Sequence, residues 1–275
     1  MYLEVVGRKE FKIIMNRGIV TIATGDKKYY EMAKNLLISI RITNPNEKVA
    51  ILTDEANEYK KLYDDVVILK NPYHSYMDKI NLLKHLPYEE NIFIDADSLV
   101  YDKLSDIWKE FESKTDFSCY GTKLSIGSKG GWFKESDIGE WRDKIYYIPQ
   151  MHGGLYFVRK GDFIKEFYEL CLKIQSNYKQ YRFAYFDEPA DEPILALASA
   201  ILNVDFASTR QTICFYPAIE KIMDLNIYKR KLTYLSQGKC CSGKVLHFGS
   251  INTEKALYKC ERDKFIKILV VSNKL

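Results

Sequence analysis

The sequence has no long hydrophobic run. None of its apolar stretches approaches the ~20 residues that a helix needs to span a bilayer, and the N-terminus lacks the pattern of a secretory signal peptide. We therefore expect no transmembrane segment. The tail over residues 255–275 is basic and partly apolar and could contact an anionic membrane surface as a peripheral protein does, although a plain terminal helix or strand is the simpler interpretation.

The six cysteines show neither metal-site nor disulfide spacing. No Cys-x-x-Cys pair occurs, and the adjacent Cys240 and Cys241 fit neither a zinc site nor a disulfide framework. Because disulfide-rich frameworks belong to oxidising compartments, this usage favours the reducing cytoplasm.

The sequence also lacks a strong excess of one charge. Lys and Arg number 41 against 37 Asp and Glu, a net charge of +4. This does not indicate a nucleic-acid partner but is compatible with an anionic substrate. No internal repeat, low-complexity linker or domain boundary is visible, and 275 residues suffice for one full core. We expect a single domain over residues 1–275.

What the sequence does contain is a regular alternation of strand and helix patterns. β-branched and apolar runs at residues 19–23, 49–52 and 66–69 predict strands, and residues 33–40 have the spacing of an amphipathic helix. Further patterns predict a short polar helix over 55–62, helices at 104–111 and 163–174, a long loop over 122–145, and strands at 155–158 and 245–249. This order is typical of an α/β fold with a mostly parallel central sheet.

The most informative stretch is the apolar run at residues 92–94, which follows Asn91 and leads directly into Asp95, Ala96 and Asp97. Residues i and i+2 of a strand share a face, so the two carboxylates are expected to lie close together. They would repel each other unless a hard divalent cation lay between them. A pair of solvated turn aspartates is the alternative. We favour the cation because α/β proteins bind ligands at the carboxyl ends of their strands.

Five features in this order resemble the GT-A glycosyltransferases, and most closely the retaining family 8 of glycogenin and the lipopolysaccharide galactosyltransferases. The resemblance covers roughly residues 18–250. The features are the start at residues 21–30, Lys79, Asp95-Ala96-Asp97, His152-Gly153-Gly154, and Asp191-Glu192 followed by His247-Phe248-Gly249. The resemblance implies a GT-A, Rossmann-like nucleotide-diphospho-sugar transferase fold. It also implies metal-dependent transfer of a hexose from a UDP-sugar to an acceptor hydroxyl with retention, the acceptor being a glycan, a lipid-linked saccharide or a protein.

The resemblance implies a metal site made of Asp95, Asp97 and His247, with Ala96 beside the nucleotide. These residues would hold Mn²⁺ or Mg²⁺ against the diphosphate of the donor, where the metal acts as a Lewis acid. An imidazole ligand favours Mn²⁺ over Mg²⁺. A core histidine is the alternative interpretation of His247.

The resemblance also assigns donor contacts. Lys79 would face the phosphates or the donor sugar as a point charge, and one of Tyr29 and Tyr30 would stack on uracil. Thr24 and Asp26 would contact the base or the ribose. A solvated helix lysine and a helix cap at Asp26 are the respective alternatives.

In the middle motif, Gly153 and Gly154 would allow close backbone approach to the sugar, with a β-bulge as the alternative. His152 stands where the family usually has Asn or Asp. Gly249 is the glycine of the late motif but comes early, and the nearest candidate for the family's following lysine is Lys255. These departures leave the donor sugar open.

Asp191 and Glu192 are the predicted catalytic residues. Retaining transfer passes through a transition state with oxocarbenium character, which a nearby carboxylate stabilises. The resemblance implies that Asp191 forms hydrogen bonds with hydroxyl groups of the donor sugar. Glu192, where the family often has Gln, would act as nucleophile or electrostatic stabiliser, unless both residues merely cap a helix.

Within the single domain, we expect a nucleotide-binding half over about 18–120, an acceptor and sugar half over about 121–250, and the tail over 251–275. Two rival functions remain. Asp95 also resembles the nucleophile of haloacid-dehalogenase-type phosphatases, but that motif normally opens its domain. The third interpretation is a non-catalytic nucleotide-sugar-binding module, against which the intact Asp95, Asp97 and His247 argue.

Overall fold

The computed structural model describes residues 16–55, 61–207 and 212–271. Its strands are β1 (Arg17–Ala23), β2 (Val49–Thr53), β3 (Asp65–Ile68), β4 (Glu90–Ile94), β5 (Ser98–Val100), β6 (Phe117–Leu124), β7 (Ile148–Arg159), β8 (Ile213–Phe215), β9 (Lys221–Asn226), β10 (Lys231–Ser236), β11 (Lys239–Ser242) and β12 (Val245–His247). Its α-helices are α1 (Lys27–Thr43), α2 (Asp78–Leu82), α3 (Ser105–Phe111), α4 (Asp162–Ser176), α5 (Asp191–Ile201) and α6 (Ala256–Val271).

The central sheet has six strands in the order β3-β2-β1-β4-β7-β6. β1 pairs in parallel with β2 and with β4, and β2 pairs in parallel with β3. β7 is antiparallel to both of its neighbours, β4 and β6. Since β7 alone runs against the others, the predicted α/β fold with a mostly parallel central sheet is confirmed.

Helices cover both faces of this sheet because neighbouring residues of its strands point to opposite sides. In β1, Ile19 packs into the core cluster that contains α1 and α3, whereas Val20 packs into the cluster that contains α4 and α5. Ile92 and Phe93 of β4 divide in the same way. The near-continuous apolar runs in the sequence therefore reflect burial on both faces.

Two small sheets flank the central one. β12 pairs with β5 in antiparallel register, with His247 opposite Ser98, and in parallel with β8. β9, β10 and β11 form an antiparallel meander. The pairing of β5 with β12 matters for the site, because it brings the end of the chain's last strand beside Asp97.

Several element predictions need correction. The segment 122–145 is not a structureless loop: β6 continues to Leu124, and 3₁₀ helices at Glu135–Asp137 and Gly139–Lys144 follow. Buried aromatic residues at irregular spacing hold it in place, which a search for periodic patterns misses. Of the short helix predicted over 55–62, residues 56–60 lie outside the described residues, and Lys61 and Leu62 form a turn.

The tail forms a plain helix, α6, as the simpler interpretation had it. Tyr258 and Phe265 of α6 are buried in a core cluster with Leu99 and Leu246. Among the residues that the structure describes, no helix has the length and apolar character required to cross a membrane.

Candidate active site

A cavity of about 720 Å³ opens where β1 and β4 end and α5 begins. Ligands of α/β proteins bind at this edge of the sheet. The predicted site residues that line the cavity are Thr24, Tyr29, Lys79, Asp95, Ala96, Asp97, His152, Gly153, Gly154, Asp191, Glu192, His247 and Gly249. The fold thus gathers residues that are up to 225 positions apart in the sequence (Thr24 to Gly249).

Two predicted residues do not line this cavity. The Asp26 carboxylate accepts a hydrogen bond of 2.9 Å from the Lys28 backbone N–H and caps α1, the alternative that the sequence had left open. Tyr30 is buried, and its hydroxyl donates to the Asp54 carboxylate. Of the two adjacent tyrosines, Tyr29 is therefore the one whose ring faces the cavity, with 36% of the residue exposed.

Asp95, Asp97 and His247 form a compact cluster. His247 Nε2 lies 2.9 Å from Asp97 Oδ1 and 3.7 Å from Asp95 Oδ2, and one ligand atom from each residue falls within 4.8 Å of the others. Backbone hydrogen bonds fix the arrangement: Asp95 N–H donates to the Gly154 carbonyl (2.9 Å), and Phe248 N–H donates to the Asp97 carbonyl (3.0 Å). The cluster therefore depends on the ends of β4, β7 and β12.

The chemistry of this cluster fits a divalent cation. Asp97 Oδ1 is buried, and its close contact among the described residues is with His247 Nε2 at 2.9 Å. A buried carboxylate oxygen that faces a single imidazole has lone pairs left for a cation. Two carboxylates suit Mg²⁺ or Mn²⁺, and the imidazole favours Mn²⁺.

Lys79 bridges the cluster to α5. Its Nζ lies 2.6 Å from Asp95 Oδ2 and 3.3 Å from Asp191 Oδ2. Burial opposes the charge of Lys79, but the two carboxylates outweigh burial and hold its pKa well above the usual value. Burial alone would raise the pKa of Asp95, yet Lys79 and His247 lower it. The alternative of a solvated helix lysine is wrong, because only 14% of the Lys79 side chain is exposed.

Asp191 and Glu192 stand in the first turn of α5 but differ in their contacts. Asp191 is buried, and burial raises its pKa despite the nearby Lys79. Glu192 Oε1 accepts a hydrogen bond of 2.7 Å from the Gly153 backbone N–H in β7. Burial and the neighbouring Asp191 raise the pKa of Glu192 to about 7. Glu192 is thus held by β7 with its carboxyl group in the cavity wall.

The Gly153-Gly154 pair makes room for these side chains. A Cβ atom at Gly153 would lie 2.4 Å from Glu192 Cγ, and one at Gly154 would lie 2.7 Å from His247 Nδ1. Relative to β6, β7 carries extra residues here, because Cys119 pairs with Tyr156 whereas Gly121 pairs with Met151. The pairing is thus irregular at Gly153 and Gly154, in keeping with the β-bulge alternative, and bulges often adjoin active sites. Close approach of the backbone to a sugar stays a prediction.

The ring of His152 packs against the ring of His247. Its Nδ1 accepts a hydrogen bond of 3.0 Å from the Gly154 backbone N–H, so its ring proton is on Nε2, 3.4 Å from His247 Nδ1. Burial and the neighbouring His247 lower the pKa of His152 to about 3, so its ring is neutral. Burial also opposes the charge of His247, but Asp97 outweighs it and raises the pKa of that ring.

Sequence reasoning missed one residue that shapes the nucleotide side. Asp78 is buried, and its carboxylate accepts hydrogen bonds from Thr24 Oγ1 (2.7 Å), Tyr73 N–H (2.7 Å) and His74 N–H (3.0 Å). It ties the turn after β1 to the loop before α2. An aspartate at the start of a helix is usually interpreted as a helix cap, so the sequence around Asp78 did not indicate a role in the site.

The aromatic residues of the cavity were also missed. Besides Tyr29, the cavity is lined by Tyr76, Trp132, Tyr185, Phe186 and Phe215. All but Phe215, which ends β8, come from irregular segments, where hydrophobic spacing carries no information about position. The abundance of tyrosine, 21 residues, was the only hint in the sequence.

Solved structures with this fold include glycosyltransferases. A crystal structure of the galactosyltransferase LgtC with donor and acceptor sugar analogs matches with a TM-score of 0.55 at 13% identity, over 91% of this chain and 94% of that chain. An active-site mutant of LgtC, with glutamate in place of a glutamine, gives 0.51 at 14% identity, over 92% and 95%. The bifunctional glycosyltransferase WbbM gives 0.51 at 9% identity, over 86% of this chain and 46% of that chain.

At such identities the likeness shows the fold, and the predicted GT-A fold is confirmed. No protein-family model and no curated protein sequence matches the chain.

Proposed function

We propose that this protein is a metal-dependent glycosyltransferase that moves a hexose from a UDP-sugar to an acceptor hydroxyl with retention of configuration. One observation carries the proposal: Asp95, Asp97 and His247 lie in one cavity of a GT-A fold with the carboxylates of Asp191 and Glu192. The cluster fits a cation, and the carboxylates fit a developing positive charge at the sugar.

In this proposal Asp95, Asp97 and His247 hold Mn²⁺, or Mg²⁺. The bound cation would offset the negative charge that develops on the UDP leaving group. Tyr29 faces the base, and Thr24, held by Asp78, faces the ribose. Lys79 keeps Asp95 ionised and adds positive charge near the phosphates.

Asp191 and Glu192 act on the donor sugar. Asp191 lines the cavity with its carboxylate paired to Lys79 at 3.3 Å, and in this proposal the carboxylate also accepts a hydrogen bond from a sugar hydroxyl. Glu192, with its pKa near 7, is partly ionised at neutral pH and serves as nucleophile or electrostatic stabiliser.

The acceptor is a glycan, a lipid-linked saccharide or a protein hydroxyl. The division into a nucleotide-binding half and an acceptor half, and a cytoplasmic location with peripheral membrane contact, stay predictions from the sequence.

The rival functions have weaker support. A phosphatase that used Asp95 as nucleophile would carry that motif at the start of its domain, whereas β1, β2 and β3 precede Asp95 in this fold. A non-catalytic binding module would have no need of the two further carboxylates, Asp191 and Glu192, beside the cluster.

UDP release separates the three functions. The protein is incubated with a panel of UDP-hexoses, with Mn²⁺ or with EDTA, and with p-nitrophenyl phosphate as the phosphatase substrate. We expect slow UDP release from one or more donors, only with the metal, and none from Asp97→Asn. Phosphate-ester hydrolysis without UDP release would support the phosphatase, and binding of UDP-sugar without release would support the module.

A further inference from the structure

The same cavity contains a second group of side chains, to which the proposed transfer assigns no role. The rings of Tyr76, Trp132, Tyr185 and Phe186 form one connected cluster, which we call the aromatic wall. Trp132 contacts Tyr185 with centroids 5.9 Å apart and Phe186 at 5.8 Å, and Phe186 contacts Tyr76 at 5.8 Å. All four line the cavity.

The backbone holds the aromatic wall in a defined position, so the wall is more than a set of separately exposed rings. Its residues come from three segments of the chain, and the Ala184 backbone N–H donates to the Trp132 carbonyl at 2.8 Å, which ties two of them together. Tyr185 has a φ of 69°, a left-handed conformation that is unfavourable for a bulky residue. Such backbone conformations cluster at ligand-binding sites. Tyr185 is also 89% exposed.

The aromatic wall adjoins the catalytic carboxylates. Lys79 Nζ lies 5.8 Å from the centroid of the Tyr76 ring and 3.3 Å from Asp191 Oδ2. A molecule packed against the wall would therefore hold a hydroxyl group close to the position of the donor sugar. The turn after β1, with Tyr29, provides the nucleotide side of the same cavity.

We propose that the aromatic wall binds a pyranose ring of the acceptor, an inference that rests on the proposed function. The faces of aromatic rings are negative, and they attract the weakly positive C–H groups on the apolar face of a pyranose. The hydroxyl rim of the sugar can meanwhile bond to tyrosine hydroxyls. Stacking on aromatic rings with tyrosine hydroxyls beside them favours a saccharide over a lipid tail at the end of the acceptor that reacts.

Tryptophan offers a direct readout of binding to the wall. The chain has three tryptophans, of which Trp108 and Trp141 are buried and Trp132 is half-buried in the wall. The protein is labelled with 5-fluorotryptophan, and Trp132→Phe assigns the Trp132 resonance in ¹⁹F spectra. Lactose, maltose, cellobiose and methyl galactoside are then titrated up to their solubility limits, without nucleotide.

We expect at least one pyranoside to shift the Trp132 resonance and leave the other two unchanged. Absence of a shift with all four pyranosides overturns the proposal, and so does a shift of Trp132 by UDP alone, which would make the wall the base site. A shift caused only by a tyrosine-containing peptide would also overturn it, in favour of a protein acceptor. None of these outcomes depends on catalysis, so failure of the proposed function is seen separately as absence of UDP release.

Kinetics provide a second test with a matched control. Trp132→Ala and Tyr185→Ala should raise the KM for a pyranoside acceptor about tenfold, by analogy with aromatic stacking on bases, with a smaller effect on the KM for the UDP-sugar. The control is Tyr228→Ala, which removes a tyrosine that is 69% exposed outside the cavity. Equal acceptor KM in all three variants would contradict the proposal.

Discussion

The cavity has two walls of opposite character. The charged wall, made of Lys79, Asp95, Asp97, Asp191 and His247, is largely buried and held by ion pairs of 2.6 to 3.7 Å. The aromatic wall is half-buried to exposed and rests on loops. The contrast indicates two separate roles. Residues at the ends of strands and the starts of helices determine the reaction, and loop residues determine which substrate binds.

The largest expected effect comes from breaking the charged wall. Asp97→Asn should lower the affinity for UDP in the presence of Mn²⁺ at least about 100-fold, because changes behind the metal ligands alone cost 10- to 100-fold. Isothermal titration calorimetry with UDP measures it. The ¹⁹F response of Trp132 to pyranosides should be unchanged, which shows that the two walls act separately. Equal UDP affinity in the variant would remove Asp97 from the site.

Glu192, which lies next to Asp191 of the charged wall, tests the catalytic part of the cavity. Glu192→Gln should lower kcat roughly 10²–10³-fold with little change in the donor KM, as expected for a charge that acts mainly in the transition state. Asp191→Asn is the comparison, and it should impair both constants because Asp191 is assigned to ground-state contacts with the sugar. Full turnover of Glu192→Gln would return Glu192 to a structural role.

Burial of Glu192 also predicts a pH dependence of stability. Its pKa is raised from 4.5 to about 7 in the folded protein, so its contribution to stability is fully present below pH 4.5 and is lost as the pH rises through 7. Glutamine cannot ionise and can keep the hydrogen bond to Gly153. Without metal, Glu192→Gln should be more stable than the wild type at pH 8 by about 3 kcal/mol, at about 1.4 kcal/mol per pKa unit.

Urea unfolding in EDTA measures this difference. It should disappear at pH 4, where both side chains are neutral. A difference that is the same at pH 4 and pH 8 would show that ionisation of Glu192 is not its cause.

The smallest expected effect concerns the nucleotide side of the cavity. Tyr29→Ala should weaken UDP binding by about 1–3 kcal/mol, the range found for stacking on bases. Tyr30→Phe is the matched control, because it removes only a hydroxyl that donates to Asp54, and neither residue lines the cavity. It should lower stability and leave UDP affinity unchanged. If Tyr29→Ala binds UDP as the wild type does, the base lies elsewhere.

The same contrast explains what the sequence could predict. Asp95 and Asp97 follow a buried strand directly, and the carboxyl ends of parallel strands meet at one edge, so their position could be inferred from pattern alone. His247 was found through motif order, and its pairing opposite Ser98 is a long-range contact that no local pattern encodes.

The aromatic wall could not be predicted for a physical reason. Trp132 and Phe186 are 54 positions apart in segments without helical or strand period, and only the packing of two loops brings their rings to 5.8 Å. The sequence likewise did not show which side chains face Gly153 and Gly154. They were expected to admit a sugar, and in the structure the space beside them holds Glu192 and His247.

Binding of Mn²⁺ tests the central claim most directly. In an electron paramagnetic resonance titration with UDP present, the wild type should bind one Mn²⁺ per chain, whereas His247→Ala should bind it at least about tenfold more weakly, in line with the loss of a metal ligand. His85→Ala, which changes a histidine outside this cavity, should behave as the wild type does. Equal Mn²⁺ affinity in His247→Ala and the wild type would contradict the account, because the proposed donor site depends on all three ligands.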